Sequence, residues 1–281
     1  MRDLLRAGFY RSIKNVVTWI ALLWSLVDGL LYAEFFNGLS WGDSSRIVWS
    51  MLAFTALISL FVVTGKGACA FRNTMICGYT RFQYFLSELL LALGLAALMT
   101  LIILSAAILP HLGFEISMKP ILSVRFIIGA FLAYISLASP VVVMALCINR
   151  KSAAIAACLL LTVISATILE EVESALLQPK YGGEMTFIDG EFRYPDNAEE
   201  NPRYVGEPAR SILTVIYDMS PYGQLYRLNS AHIYCVRGMN NDTDIFAQKE
   251  KYLTSEPLYG IGIITFSLLG GLALCKKKDF E

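Results

Sequence analysis

Apolar residues along this chain fall into blocks of about 19–26 residues separated by short polar, mostly basic stretches. Blocks of that length match a hydrocarbon core of roughly 30 Å crossed at about 1.5 Å per residue. The pattern therefore predicts membrane-spanning helices at 16–36, 47–65, 84–109, 124–147, 152–170 and 257–275. Ahead of the first block, Leu4, Leu5, Phe9 and Ile13 recur at helical spacing, with Arg2, Arg6, Arg11 and Lys14 mostly on the other side. This predicts a short amphipathic helix in the membrane interface, its basic face toward anionic headgroups. The alternative is a solvated tail. A signal peptide is not expected, because the following apolar block is too long and no small-residue cleavage site is present.

Between the fifth and sixth blocks the pattern changes to a polar stretch, 171–256, which holds most of the acidic residues. In YGGEMTFIDGEFRYPDN, aromatics alternate with Gly, Pro and acids, which predicts strand-and-turn elements rather than disorder. The later ARSILTVIYDMSPYGQLYRL reads as helical and suited to the outer membrane surface. The expected fold class is an all-α polytopic membrane protein. It has six transmembrane helices, an N-terminal amphipathic interfacial helix, and a mixed α/β extracellular insertion between spans five and six. The expected division is 1–170 (interfacial helix and five spans, with a cytoplasmic segment at 66–82), 171–256 (extracellular), and 257–281 (span six and a basic tail).

Charge sets the expected orientation. Arg2, Arg6, Arg11 and Lys14, then Lys66, Arg72 and Arg81, then Arg150 and Lys151, and finally Lys276, Lys277 and Lys278 fall on one side of such a bundle. The short loops of the other side offer Arg46, Lys119 and Arg125, each close to a boundary. The positive-inside bias places both termini in the cytoplasm and 171–256 outside.

Composition agrees with a membrane location. The 281 residues are 56% hydrophobic and 16% charged, with a mean hydropathy of +0.56, against about a quarter charged in soluble domains. Net charge is zero, which offers no argument for a nucleic-acid partner. Of Cys69, Cys77, Cys147, Cys158, Cys235 and Cys275, only Cys235 falls in the outer stretch, so no disulfide framework is expected there. No CxxC or HxxxH spacing occurs, and His111 and His232 are far apart in sequence, so no metal is expected.

Enzyme chemistry lacks a signature. There is no GxxxxGK[ST] phosphate loop, no GxSxG elbow, no HExxH and no GxGxxG after a strand. The chain is not expected to be an enzyme or to hold a cofactor; any ATP, with its Mg, belongs to a partner subunit. Polar candidates along a pathway are Asp28 and Glu34 in the first span and Glu170 at the end of the fifth, beside Glu171 and Glu173. Ionisable groups at membrane depth usually face a bundle interior or water. For Asp28, the competing reading is a hydrogen bond to a neighbouring helix. Pro110 and Pro120 bracket a short outer turn, and Pro140 removes a hydrogen bond inside the fourth span. Gly94, Ala96, Ala97, Ala153, Ala154, Ala156 and Ala157 suit close helix packing.

The segment 65–91, GKGACAFRNTMICGYTRFQYFLSELLL, is basic yet keeps Phe71, Met75, Ile76, Tyr79 and Phe82 for packing. Gly78 is expected to end a short helix before Tyr79, Thr80 and Arg81, after which a new helix enters the membrane. This segment resembles the ABC type-2 exporter permease family, whose members carry a pattern close to R-N-K-L-I-x-G-x-S/T-R-x-x-Y/F-x-x-S-K. Arg72, Asn73, Gly78, Thr80, Arg81, Tyr84 and Ser87 match it; Thr74 and Glu88 depart where the family often has Lys.

The resemblance implies a permease subunit in a bacterial plasma membrane. It would pair with a second permease chain, identical or a sister, and dock onto soluble ABC ATPase subunits through Arg72, Asn73, Gly78, Tyr79, Thr80 and Arg81. The exported substrate would be a peptide of bacteriocin or toxin type, a drug or a lipid-like molecule, with membrane lipid as the other partner. The rival expectation is a non-transporting sensor or immunity protein that recognises an outside ligand through 171–256. An ion-coupled carrier has only Asp28 in its favour.

Overall fold

The computed structural model describes residues 1–36, 44–66, 73–108, 120–181, 186–188, 191–193, 200–236 and 258–273. Helix α1 (Arg2–Lys14) and helix α2 (Val16–Phe36) are followed by α3 (Ser44–Gly65), α4 (Arg81–Ile108), α5 (Pro120–Cys147) and α6 (Lys151–Leu177). Strands β1 (Thr186–Ile188) and β2 (Glu191–Arg193) pair antiparallel, with Ile188 opposite Glu191. Then come α7 (Ala209–Met219), α8 (Pro221–Val236) and the apolar helix α9 (Leu258–Ala273).

Among the described residues, α3, α4, α5 and α6 are long and apolar enough to cross a membrane; counting the bent α1–α2 pair as one span gives five. This is the make-up of a multi-pass membrane protein. The sequence pattern predicts six spans. The sixth, α9, is described over 16 residues, about 24 Å at the helical rise, which is short of a hydrocarbon core. Arg72, Pro110, Lys119 and the tail lysines 276–278 lie outside the described residues, and of Glu34 and Arg81 only the helical backbone is described.

The core forms around α3 and α5. Met51, Phe54 and Ile58 of α3, Phe85, Leu89 and Met99 of α4, and Ala133, Val142 and Leu146 of α5 are essentially without solvent exposure. Phe54 and Tyr134 add a tilted ring contact at 5.1 Å between α3 and α5. Hydroxyls in this core bond either to their own helix or across it. Thr100 donates to the carbonyl of Ala96 at 2.8 Å, and Thr55 and Thr162 meet at 3.1 Å between α3 and α6. In an apolar surround these pairings spare the bundle unsatisfied polar atoms.

Close helix approach also comes at residues outside the predicted set. A Cβ on Gly29 of α2 would lie 2.5 Å from the backbone oxygen of Ile103 and 2.7 Å from Ala106 Cβ, so α2 and α4 touch backbone to backbone there. Gly260 and Gly271, three turns apart on α9, face Leu132 and Val143 of α5, so these two helices run parallel. Gly94, by contrast, has open space where a Cβ would sit. Ala96 and Ala154 are buried, while Ala153 and Ala156 are exposed. Small size permits close packing but does not select which face is covered.

The fifth apolar block also ends differently. Helix α6 continues through Glu170, Glu171 and Glu173 to Leu177, so the helix itself runs on past the apolar block into the polar stretch. Nothing in that stretch breaks a helix. The stop comes at Gln178, held extended with ψ 125° ahead of Pro179. Pro120 occupies the first position of α5, where a missing N–H costs nothing. Pro140 lies inside α5, which continues past it without the bond to the carbonyl of Ser136.

Candidate functional site

The best-defined polar architecture lies at the basic end of the bundle, where the chain passes from α1 to α2, from α3 to α4 and from α5 to α6. The segment entering α4 is built from two capping motifs. A helical turn at 73–76 ends at Gly78, which adopts φ +83°. The Gly78 N–H donates to Met75 O at 3.0 Å and the Tyr79 N–H to Thr74 O at 3.3 Å. This is a Schellman closure, and its left-handed residue is a glycine because a Cβ is strained there. Two residues later Thr80 caps α4. Its Oγ1 accepts from the Gln83 N–H at 3.2 Å, and Gln83 Oε1 accepts from the Thr80 N–H at 3.0 Å. This reciprocal pair is a capping box.

The residues that carry the family resemblance therefore divide in two. Asn73, Gly78 and Thr80 are exposed and Tyr79 is partly covered. Tyr84 and Ser87, one turn further on, are buried in the core, with Ser87 Oγ donating to Tyr84 O at 2.8 Å. Ile76 and Phe82 present apolar surface on the same segment, at 73% and 44% exposure.

Three further contacts tie this end together. Arg11 of α1 forms an ion pair with Glu88 of α4. Asn15, at the break between α1 and α2, donates to Thr64 Oγ1 at 3.0 Å. Lys66 Nζ, one residue past α3, donates to Ala145 O at 2.9 Å, to Ile148 O at 3.3 Å and to Leu146 O. An ammonium at a helix C-terminus meets carbonyls that have no intrahelical partner and the negative end of the helix dipole. Sequence reasoning treats Lys66 as an orientation signal and Glu88 as a departure from a family pattern. The available signal for Glu88 was an acid two turns into an apolar helix, which calls for a buried partner. That partner turns Arg11 away from the basic face expected for α1 and onto its covered face, with Leu4, Leu5, Gly8 and Ser12. Phe9, Tyr10 and Ile13 form the open face.

The pathway candidates separate. Asp28 is buried, and its Oδ2 accepts from Ser50 Oγ at 2.6 Å. Ser50 in turn meets the Tyr134 hydroxyl at 3.0 Å, so the chain joins α2, α3 and α5. Glu170 and Glu171 stand on the exposed side of α6. No group of three or more metal-ligating side chains occurs among the described residues.

The opposite end carries a second polar cluster, unforeseen in the sequence. Asp218 of α7 pairs with Arg227 of α8, which also lies 5.0 Å from the Tyr217 ring. Tyr217 and Tyr226 lie close enough to Glu173 of α6 for its charge to act on both phenols. Arg210 Nη2 donates to Leu176 O at 2.6 Å, and Asn201 Nδ2 to Pro179 O at 3.1 Å, fixing the return of the chain to the end of α6.

Burial, with Glu173 adding to it, pushes the Tyr226 phenol up to about 12. Burial and Glu173 also raise Tyr217. Burial raises Asp218 against the opposing pull of Arg227. A raised phenol keeps its proton in the folded state after the unfolded chain has lost it. Its contribution is thus fully present below about pH 10 and lost as pH rises toward the folded value. Ultraviolet titration of tyrosinate is expected to show Tyr226 as a late-ionising group whose shift lessens in Glu173→Gln but persists, because burial is its larger cause. Titration of Tyr226 alongside the exposed tyrosines in the unsubstituted protein would refute this.

No protein-family model matches this chain, and no curated protein matches it.

Proposed function

We propose that this chain is the membrane permease subunit of an ATP-driven exporter of the ABC type-2 kind, coupled to separate ATPase subunits through the 66–82 segment. The observation that carries the reading is the doubly capped turn at 73–83, which presents Asn73, Ile76 and Phe82 on a short rigid segment between two spanning helices. A force-transmitting contact needs stiffness, and each capping motif removes conformational freedom that a plain loop would keep. In this reading Arg72, Asn73, Gly78, Tyr79, Thr80 and Arg81 face the ATPase. ATP and Mg are bound by that partner, and both termini lie in the cytoplasm. Helix α9 is the sixth span, and the mixed strand-and-helix insertion is extracellular.

The export pathway forms between two permease chains. Its support is the openness of α6: 28% of its most apolar stretch is buried, against 50–61% in α3, α4 and α5. The exposed side of α6 also carries Thr167, Glu170 and Glu171, which suit a protein or water surround better than lipid.

Cys77, exposed beside Gly78, supplies the test. In a variant keeping only this cysteine, an impermeant maleimide is expected to react from the cytoplasmic face alone, and a bound soluble ATPase is expected to protect it. Labelling from the outer face refutes the orientation. Failure of any ATPase to co-purify or protect refutes the exporter reading in favour of a sensor acting through the outer insertion.

A further inference from the structure

Helix α1 precedes the first span, yet it is held by a charge pair within the bundle. Glu88 is 6% exposed, and its partner Arg11 is the one basic residue on the covered face of α1, since Arg2, Arg6 and Lys14 are exposed. We propose that Arg11 and Glu88 form an electrostatic latch that makes α1, the root of α4 and the start of the 66–80 segment move as one lever. The inference rests on reading that segment as the coupling element.

Three observations carry it. Gly8 lies against Leu91, where a Cβ would come within 2.2 Å of Leu91 Cδ1. Gly8 with Leu91 and Arg11 with Glu88 give two contacts one turn apart on each helix, so α1 meets α4 in a defined register. Second, the end of α3 rests on the pair itself: a Cβ on Gly65 would lie 3.3 Å from Glu88 Oε2 and 3.6 Å from Arg11 Nη2. Third, the next residue, Lys66, grips the carbonyl end of α5. Four helices thus meet within two residues of the point where the coupling segment leaves the bundle. An apolar contact would hold α1 nearly as well. A charge pair with its acid buried also fixes register, because sliding by one turn takes the guanidinium away from a carboxylate that has little access to water.

The test has two arms. With cysteines placed at Gly8 and Leu91, oxidative cross-linking in native membranes reports whether α1 is seated. Arg11→Gln or Glu88→Gln is expected to slow it roughly tenfold, since the first takes the ion pair from the buried Glu88 and the second removes what draws Arg11 onto α4. Arg11→Lys is expected to retain most of the rate, and the double exchange R11E/E88R to restore it. Unchanged cross-linking in both single variants overturns the latch whatever the partner of this chain. The second arm measures substrate exported per ATP hydrolysed with the partner ATPase. It is expected to fall about fivefold in each single variant and to recover in the exchange. Cross-linking that depends on the pair, with transport per ATP unaltered, overturns the lever. If no ATPase couples to this chain while cross-linking still follows the pair, the exporter reading falls and the seating of α1 by Arg11 and Glu88 stands.

Discussion

Gly29→Val is expected to abolish assembly of a stable bundle, the largest effect of any single substitution considered. The Cβ alone would sit 2.5 Å from Ile103 O and 3.0 Å from Ile103 Cα. Those atoms are helix backbone and cannot rotate aside as a side chain can. Relief requires α2 to move off α4, against which it makes its most extensive contact. Overpacking usually costs about 1–3 kcal/mol; with backbone on the receiving side the cost is expected at or above that upper figure. Moving α2 also strains the bond from Ser50 to Asp28, leaving a buried carboxylate without its partner. The measurement is the fraction of detergent-solubilised protein that stays monodisperse on heating. Gly94→Ala serves as the control, because its Cβ enters open space; replacing a helical glycine there is expected to be neutral or to stabilise by about 0.5–1 kcal/mol. Equal tolerance of Gly29→Val and Gly94→Ala would show that α2 and α4 are not packed as described.

If the chain is the exporter subunit proposed above, Gly78→Pro is expected to eliminate export while leaving membrane insertion and thermal stability close to the parent. The residue sits at φ +83°, far from the roughly −65° that a proline ring imposes. It also donates to Met75 O, a bond proline cannot make. The closure of the 73–76 turn is lost, but no core contact is, because a side chain added at this position meets nothing within 4 Å of its Cβ. Substitutions are expected to rank by tolerance of the left-handed region. Asparagine should be mildest, alanine intermediate at about 1–2 kcal/mol of local strain, and proline most severe. Arg81→Glu, at the first residue of α4, is expected to uncouple ATP hydrolysis from export in the same way. Wild-type export in both Gly78→Pro and Arg81→Glu would remove 73–81 from the coupling role.

The elements themselves were readable one by one. The apolar blocks at 16–36 and 47–65 correspond to α2 and α3 with shifts of at most a few residues. Gly78 was readable as a helix terminator because the requirement it meets is local: a left-handed residue after a short turn. Asp28 was readable as an outlier, since an acid in an apolar run stands out by itself, but Ser50 and Tyr134 were not readable as its neighbours. They arrive from 22 and 106 positions along the chain, and nothing in their spacing refers to Asp28. The end of the α6 helix was not readable from the apolar pattern for a related reason. Hydrophobicity ends near Glu170, whereas the backbone ends at Pro179, and a helix stops where its backbone can no longer continue.

The sequence by itself determined that the chain is helical, apolar in span-length blocks and capped where the 73–83 segment turns. Each of these follows from neighbours within about two helical turns, through solvation, backbone freedom or a local hydrogen bond. Tertiary structure alone decided that α2 seats on α4 at Gly29 and not at Gly94. It likewise decided that Arg11 points inward to Glu88 while its neighbours face out, and that Lys66 closes the end of α5. A glycine offers space to any helix, and a charge offers attraction to any opposite charge. Which partner takes up either offer depends on how the helices pack, a decision made across the whole bundle.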